Sequence, residues 1–298
     1  MTDLLPHTPV VLGDGQTKPA TYRWNETDSI LYALAVGAGQ SSARELQFTT
    51  ENSTGATLRA LPTMAVVLAH TDLGLDLVEG LDRDYAVHAQ QRLDIHRELP
   101  VAGDLIATTR VQGLYDKGNA TVLVLQTHAT TIAGEALFTS TMTVYYRGIG
   151  GWGGPPAPAR QQPSKRKGPP DVAQDFATRP DQALLYRLTG DRNPLHSDPV
   201  FAHRVGFAQP ILHGLCTYGI AGRVLLGQVC EGDPGLVRSV SSRFSSPVVP
   251  GETLTVLGWH TDPGSLSFDV LGADGRRVIS DGNFGYVAGR PDSDRREG

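Results

Sequence analysis

Cysteine is almost absent from this sequence: only Cys216 and Cys230 occur in 298 residues. Two cysteines cannot build the disulfide framework of a small secreted domain, nor do they form a zinc knuckle. Both lie in or directly after an apolar segment with a helical pattern. We therefore predict that both thiols are reduced and structural.

Long apolar runs and an excess of basic charge are also missing. No stretch approaches the roughly 18 to 20 apolar residues of a membrane span. The start, MTDLLPHTPVVLGDGQTKPA, has neither the basic nor the apolar segment of a signal peptide. The net charge of -5 gives no broad electrostatic reason to bind nucleic acid. We predict a cytosolic (cytoplasmic) protein that binds neither a membrane nor nucleic acid.

The chain does contain enough apolar sequence for a sizeable core, with 40% hydrophobic and 19% charged residues. Its length favours two domains of roughly 150 residues, because a single core stops growing efficiently near this size. The segment RGIGGWGGPPAPARQQPSKRKGPP is rich in glycine, proline and basic residues, which indicates a linker with a solvated basic run at 165–167. We predict an N-terminal unit over 1–150, a linker over 151–170 and a C-terminal unit over 171–298.

The two predicted units repeat one order of features, which is the signature of an internal duplication. Pro62 begins the apolar stretch PTMAVVLAHTDLGLDLV, and Pro210 begins PILHGLCTYGIAGRVLLGQV. Proline suits the first turn of a helix, where its missing N–H costs nothing, and a helix that is apolar nearly all round is buried. Each stretch therefore predicts a long buried helix.

Each predicted helix is followed by three segments that alternate β-branched and polar residues. The first set is DLIATTRVQGLY, ATVLVLQTHATTI and EALFTSTMTVYY, and the second is ETLTVLGWHT, LSFDVLG and RRVISDGNFGYVA. Turn signals such as DKGN and ADGR separate the segments, as expected for antiparallel hairpins. The predicted fold class is α+β, with an antiparallel meander around a central helix occurring twice.

One pair of equivalent segments differs between the repeats. LYALAVGAGQSS and LYRLTGDRNPLHS align on Tyr32 and Tyr186, but polar residues of the second copy are small residues in the first. The differing pairs are Gly37 and Asp191, Gly39 and Asn193, and Ser42 and His196. Asp and Asn favour turns and caps, and proline suits a first helical position, so a structural turn and a catalytic segment both stay open. The first copy lacks these polar side chains, which favours a functional role for them in the second copy.

The second copy resembles a known signature. YRLTGDRNPLHSDPVFAHRVGFAQPILHGLCTYG is similar to the hydratase 2 signature of R-specific 2-enoyl-CoA hydratases, in the MaoC-like dehydratase family, with GDRNPLH and PILHG intact. The similarity extends from YALAVGA through LYDKGNA and GIGGWGG to SSRFSSPVVPGETL and is especially close to the hydratase portion of peroxisomal multifunctional enzymes of type 2. It implies a double hot-dog fold, two antiparallel sheets each wrapping a central helix, with one active site in the C-terminal repeat.

The resemblance also implies roles for individual residues. Asp191 and His196 would hold the water that is added, Asn193 would orient the loop or that water, and the Gly214 N–H would bind the thioester oxygen. An amide in the first turn of a helix suits this task, because it has no intrahelical partner and lies at the positive end of the dipole. The candidate acyl-CoA contacts are His88, Ala89, Lys117, Phe244 and, beside Phe244, Arg243. Ala89 departs from the family pattern, because relatives often have glycine at this position. His213, at the start of a buried helix, is more typical of a hydrogen-bonded structural residue.

The reaction implied is the reversible hydration of trans-2-enoyl-CoA to R-3-hydroxyacyl-CoA, in fatty-acid or related acyl metabolism, steroid side chains included. CoA is part of the substrate, and no metal or other cofactor is expected. Two alternatives stay open: a 3-hydroxyacyl-thioester dehydratase that uses a carrier-protein substrate, and a noncatalytic thioester-binding protein. The N-terminal repeat, which lacks the motif, is predicted to accommodate the acyl chain. Two hot-dogs in one chain leave both a monomer and a homodimer open.

Overall fold

A computed structural model of the protein describes residues 8–40, 45–68, 74–159, 166 and 168–288. In chain order its strands are β1 (Val10–Val11), β2 (Ala20–Trp24), β3 (Val78–Glu79), β4 (Ala86–Ile95), β5 (Gly103–Asp116), β6 (Ala120–Thr131), β7 (Ala136–Arg147), β8 (Val172–Ala177), β9 (Val237–Phe244), β10 (Thr253–Asp262), β11 (Ser265–Leu271) and β12 (Arg277–Tyr286). Its α-helices are α1 (Glu26–Ala35), α2 (Leu46–Thr49), α3 (Ala65–Leu68), α4 (Gln182–Tyr186), α5 (Pro199–Arg204) and α6 (Gly214–Val229).

A single 10-stranded antiparallel sheet runs through the molecule in the order β2-β5-β6-β7-β4-β9-β12-β11-β10-β8. Read outward from the central β4–β9 pair, the strands follow the same order in both directions: β4 corresponds to β9, β7 to β12, β6 to β11, β5 to β10 and β2 to β8. The internal duplication is therefore visible in the topology. The α+β class is confirmed, and the two repeats join edge to edge where Gln90 pairs with Arg243.

The six predicted strand segments coincide, within one or two residues at each end, with β5, β6, β7, β10, β11 and β12. Their alternating pattern arises because successive side chains of a strand point to opposite faces. In β10, for example, Leu254 and Val256 are completely buried in the core, whereas Thr255 between them is partly exposed.

The two central helices differ from the prediction. The second, α6, begins at Gly214 rather than at Pro210, because residues 210–213 are extended and bond to other segments: Leu212 donates its N–H to the Val248 carbonyl at 2.7 Å. In the first repeat a 3-10 turn, Pro62–Met64, leads into the short helix α3. The prediction of a helix through residue 78 is wrong, because Gly74 has a positive φ of 70° that no right-handed helix passes through and Val78–Glu79 form β3. Residues 69–73 lie outside the described part.

The linker segment packs against both repeats where it is described. The Asp116 carboxylate accepts the N–H groups of Gly151 at 2.9 Å and Gly153 at 2.8 Å. Arg166 binds the buried Asp269 carboxylate through both terminal nitrogens and lies 4.5 Å above the Trp259 ring. The expectation of a solvated basic run is therefore wrong for Arg166, while residues 165 and 167 lie outside the described part.

No helix within the described ranges combines the length and the apolar character that crossing a bilayer requires.

Candidate active site

The LTGDRNPLHSDP segment folds as tight turns between α4 and α5. The Asn193 side chain caps the 3-10 turn Pro194–His196 by accepting the Leu195 N–H at 3.0 Å. One oxygen of Asp191 accepts the main-chain N–H of Asn193 at 3.1 Å. At the end of the segment Asp198 caps α5. The structural turn expected from these residue types is present, and it also fixes the direction of the Asp191 carboxylate.

His196 is held in one tautomer. Its ring is 9% exposed, and Nδ1 lies 2.8 Å from the main-chain oxygen of Ile211. A carbonyl oxygen only accepts, so Nδ1 carries the hydrogen, and Nε2 of the neutral ring is left as an acceptor. Burial lowers the pKa of His196 from its ordinary value, outweighing the Ile211 hydrogen bond and the nearby Asp191 charge, which act in the opposite direction. The imidazole is therefore neutral at pH 7 and able to take up a proton.

Asp191, His196 and His213 converge. One carboxylate oxygen and one nitrogen from each ring all lie within 4.8 Å of one another. Because 4.8 Å is the upper limit of these separations, the three groups are close enough to act on one water molecule. The same residue types can bind a metal ion elsewhere. The His196 and His213 rings are stacked, with centroids 3.7 Å apart and planes 26° apart.

Gly214 is the first residue of the 16-residue helix α6, and His213 is its N-cap. The first intrahelical bonds run from the N–H groups of Cys216 and Thr217 to the His213 carbonyl. The amide of Gly214 precedes them, at the positive end of the helix dipole and directly beside the Asp191–His196 pair. This N–H is geometrically suited to an oxygen that gains negative charge.

Three of the candidate acyl-CoA contacts meet next to Gly214. A Cβ atom placed on Gly214 would lie 3.1 Å from the Phe244 ring, and that ring packs edge-on against His88, with centroids 5.0 Å apart. Ala89 follows His88 at the point where the β4–β7 register shifts, so this residue occupies a β-bulge. A bulge leaves its main chain outside the ladder, which allows a backbone contact with a ligand even without glycine.

The other two candidate contacts lie further away. Arg243 precedes Phe244 on β9, so its side chain points to the opposite face of the sheet. Lys117 is exposed in the turn between β5 and β6, where its N–H bonds to the Ala120 carbonyl. Strands β7 and β6 lie between this turn and β4 in the sheet, at roughly 4.8 Å per strand. The structure does not bring these two side chains to the Asp191–His196 pair.

A small cavity of about 30 Å³ lies between His88 and the N-terminal repeat. Its walls include Ala65 and Val66 of α3, Leu125 and Met142 of the sheet, and Leu215 of α6. The lining places His88 of β4 next to apolar side chains of the N-terminal repeat.

Sequence reasoning missed two groups close to His196 and His213. The Tyr186 ring is completely buried 4.9 Å from the His213 ring, and burial raises the pKa of its hydroxyl well above its ordinary value. The Ile211 carbonyl, which fixes the His196 tautomer, belongs to the backbone and leaves no signal in the sequence. For Tyr186 a signal existed, because this residue and Tyr32 anchor the alignment of the two repeats.

Comparison with known proteins extends the resemblance to the whole chain. Residues 161–279 match a family model described as MaoC like domain, and residues 22–148 match MFE-2 hydratase 2 N-terminal domain. A protein of Mycobacterium tuberculosis named 3-hydroxyacyl-thioester dehydratase Y is 42% identical over 92% of this chain and 96% of its own. The chain belongs to the MaoC-like dehydratase family.

Further relatives of this MaoC-like protein agree. A peroxisomal enoyl-CoA hydratase 2 of Arabidopsis thaliana is 41% identical over 80% of this chain and 82% of its own. The crystal structure of a MaoC-like dehydratase from Phytophthora capsici matches with a TM-score of 0.83 and 32% identity, covering 94% of this chain and 98% of that one. The family resemblance carried by the GDRNPLH segment and the double hot-dog fold are both confirmed.

Proposed function

We propose that this protein is an R-specific 2-enoyl-CoA hydratase, a hydro-lyase that adds water reversibly to trans-2-enoyl-CoA and gives R-3-hydroxyacyl-CoA. The observation that carries the proposal is the buried neutral His196, with a ring nitrogen within 4.8 Å of an Asp191 carboxylate oxygen and its ring stacked on His213 at the start of α6. Relatives named enoyl-CoA hydratase 2 support the substrate class. The R configuration rests on the resemblance to R-specific hydratases.

Hydration begins with the thioester oxygen accepting the Gly214 N–H. Asp191 and His196 hold a water whose oxygen bonds to C3, while the pair removes one proton from it. The electrons of the C2–C3 double bond shift toward the thioester oxygen, where the Gly214 amide and the helix dipole stabilise the charge. The pair then delivers a proton to C2, so that the site ends in its starting protonation state. We assign the base and acid roles to the coupled pair rather than to either member.

Substrate binding follows from the surroundings of this pair. Phe244 and His88 enclose the thioester, the Ala89 backbone contacts the pantetheine arm, and Lys117 contacts a distal part of CoA. Asn193 orients the loop through its cap. Arg243 contributes least, because its side chain points to the other face of the sheet.

The acyl chain extends into the cavity between α3 and the sheet of the N-terminal repeat. We assign the repeats to 1–150 and 171–298, with the linker at 151–170, and we assign no cofactor beyond the CoA of the substrate. A cytosolic location stays a prediction. Light scattering of the pure protein distinguishes the monomer from the homodimer.

A second function has a specific observation in its favour. The relative from Mycobacterium tuberculosis that matches over nearly its whole length is named a 3-hydroxyacyl-thioester dehydratase. The same residues perform this reaction when the steps above run in reverse. Comparing kcat/KM for CoA and carrier-protein thioesters of one acyl group decides the carrier, and comparing both directions decides the favoured reaction.

The hydratase assignment is tested with crotonyl-CoA and 2-decenoyl-CoA, combined with chiral analysis of the product. Asp191→Asn and His196→Gln should each lower kcat by about 10² to 10⁴-fold, the usual contribution of positioned proton transfer. Asp198→Asn is the matched control in the same segment, because asparagine caps a helix as well as aspartate. Unchanged hydration in both catalytic variants, or an S product from the wild-type protein, would contradict the proposal.

A further inference from the structure

His213 lies where the parts of the candidate site meet. Its side chain is 1% exposed, and it is the N-cap of α6, directly before Gly214. The catalytic scheme assigns it no proton and no substrate contact. A buried histidine of this kind is kept in place by specific partners, and its partners here are parts of the catalytic machinery.

The first partner is the main chain of Asp191. Nε2 of His213 lies 3.1 Å from the Asp191 carbonyl oxygen. Since a carbonyl accepts only, Nε2 carries the hydrogen and donates it. This bond joins α6 to the loop of the carboxylate, two segments that are separated in sequence. It acts on the backbone of Asp191, while the Asn193 N–H holds the side chain.

The second partner is the His196 ring. The two imidazoles stack with centroids 3.7 Å apart, so His213 covers one face of His196 and keeps water from it. The Tyr186 ring also lies 4.9 Å from the His213 ring. The titratable groups around His196 are therefore His213 from α6 and Asp191 from the loop, with Tyr186 from α4 next to His213.

We propose that His213 is a positioning residue for hydration: its N–H fixes the Asp191 loop against α6, and its ring fixes and shields His196. Both effects align the water held by the catalytic pair with the Gly214 amide, because His213 and Gly214 are consecutive at the start of one rigid helix. This role rests on the proposed hydratase function. It predicts that the two contacts of His213 have separable effects on catalysis.

Three substitutions separate the contacts. His213→Gln places an amide N–H near the position of Nε2 but removes the ring. His213→Phe keeps a ring and removes the donor. His213→Asn is the matched control, because it carries the same amide as glutamine on a side chain one methylene shorter, which does not reach the Asp191 carbonyl.

The donor should determine kcat. Misplacing a reacting group by about 1 Å costs up to roughly 100-fold in rate, so Phe and Asn should lower kcat by about 10- to 100-fold while KM changes by less than about threefold. Gln should keep kcat within about fivefold of wild type. The ring should determine the pH profile. His213→Gln and His213→Asn let water reach His196, which should move the acid limb of the kcat/KM profile to higher pH, whereas His213→Phe should leave it in place.

Two results would overturn the proposal. One is a wild-type kcat in the His213→Phe variant, and the other is a loss of kcat in His213→Gln as large as that in His213→Asn. Each comparison is made against wild-type activity on the same crotonyl-CoA, so a failure of the hydratase function itself appears as an inactive wild-type protein and not as an altered ratio.

A measurement on the wild-type protein covers the case in which a variant does not fold. Nitrogen-15 NMR of histidine-labelled protein distinguishes the two neutral imidazole tautomers. We expect His196 to be protonated on Nδ1 and His213 on Nε2, with the hydrogen of each in a bond to a carbonyl. Finding His213 protonated on Nδ1 instead would remove the donor and refute the role.

Discussion

Replacing Gly214 by alanine should slow hydration while the protein stays folded. The new Cβ would lie 3.1 Å from Cδ1, 3.2 Å from Cε1 and 3.3 Å from Cγ of Phe244. Optimal separations between carbon atoms are about 3.5 to 4.0 Å, so the ring or the start of α6 must move by a few tenths of an ångström. Either movement disturbs the amide proposed to donate its N–H to the thioester oxygen or the ring proposed to enclose the thioester.

The size of the effect follows from what the substitution leaves in place. The Gly214 N–H survives, so the loss should be smaller than the 10² to 10³-fold seen when an oxyanion donor is removed outright. We expect kcat to fall by about 10- to 100-fold. Overpacking costs about 1–3 kcal/mol, but alanine is more favourable than glycine in a helix by about 1 kcal/mol. The free energy of unfolding should therefore fall by about 2 kcal/mol at most.

Helix α6 offers a matched control for this substitution. A Cβ on Gly227, near the other end of the helix, meets no heavy atom within 4 Å. Gly227→Ala should stabilise the protein by up to about 1 kcal/mol and leave kcat unchanged. Adding Phe244→Leu to the Gly214→Ala variant should restore part of kcat by making room. The reasoning fails if Gly214→Ala has wild-type kcat and KM for crotonyl-CoA, or if the Gly227 control loses as much activity.

Three further predictions concern pH, chain length and the first repeat. Burial holds the pKa of His196 below 6.5, so kcat/KM should stay level down to about pH 6.5 and fall only below it, as Nε2 is protonated. The free energy of unfolding should also fall below about pH 6.5, because the unfolded chain binds this proton more readily than the folded one. Val66→Phe should fill the cavity assigned to the acyl chain and lower kcat/KM for decenoyl-CoA relative to crotonyl-CoA by about 10-fold or more, measured in a spectrophotometric hydration assay; equal losses for both substrates would contradict this assignment. Gly37→Ala should lower the free energy of unfolding, measured in urea, by about 2–5 kcal/mol, because it adds left-handed backbone strain and overlaps the Phe176 ring. Gly55→Ala is the control, since Gly55 has a similar φ and open space around it, and it should lower the free energy of unfolding by only about 1–2 kcal/mol.

The strands that sequence could predict are those whose pattern is local. In β5–β7 and β10–β12 the alternation of side chains and the turn residues between strands indicate each hairpin without further information. The central pair could not be found in this way. β4 has the sequence AVHAQQRLDI, in which polar residues dominate, and its partner β9 is far along the chain. Pairing of this kind depends on how the repeats dock, which no local pattern contains.

The helices show the same division. An apolar stretch after proline correctly predicted the buried helix α6, but its first four residues are extended because the Leu212 N–H bonds to the Val248 carbonyl. The equivalent stretch after Pro62 begins with a 3-10 turn and α3, and the helix has ended by Gly74, whose φ is positive. Tertiary contacts overrode similar helical patterns in different ways.

In the candidate site, the sequence could predict which side chains matter but not how they are held. The motif identified Asp191 and His196, and the structure brings them within reach of one water. The His196 tautomer depends on a backbone carbonyl, and the direction of Arg243 depends on the strand parity of β9. From the sequence, His213 is interpreted only as a buried structural histidine. Its partners, the Asp191 carbonyl and the His196 ring, are evident only once α6 and the loop pack together.

The described part of the duplicated fold explains why the first repeat has no carboxylate at the position equivalent to Asp191. Tyr32 and Tyr186, the residues that align the two motifs, lie in contact across the repeats, with ring centroids 6.2 Å apart. At the position equivalent to Asp191 the first repeat has Gly37 with a φ of 85°, and any Cβ there would overlap the Phe176 ring of β8. A core residue of the second repeat, Phe176, thus occupies the space that a side chain at position 37 would need. A carboxylate cannot be restored at Gly37 without displacing that ring, so the loss in the first repeat is built into the packing that holds the two repeats together.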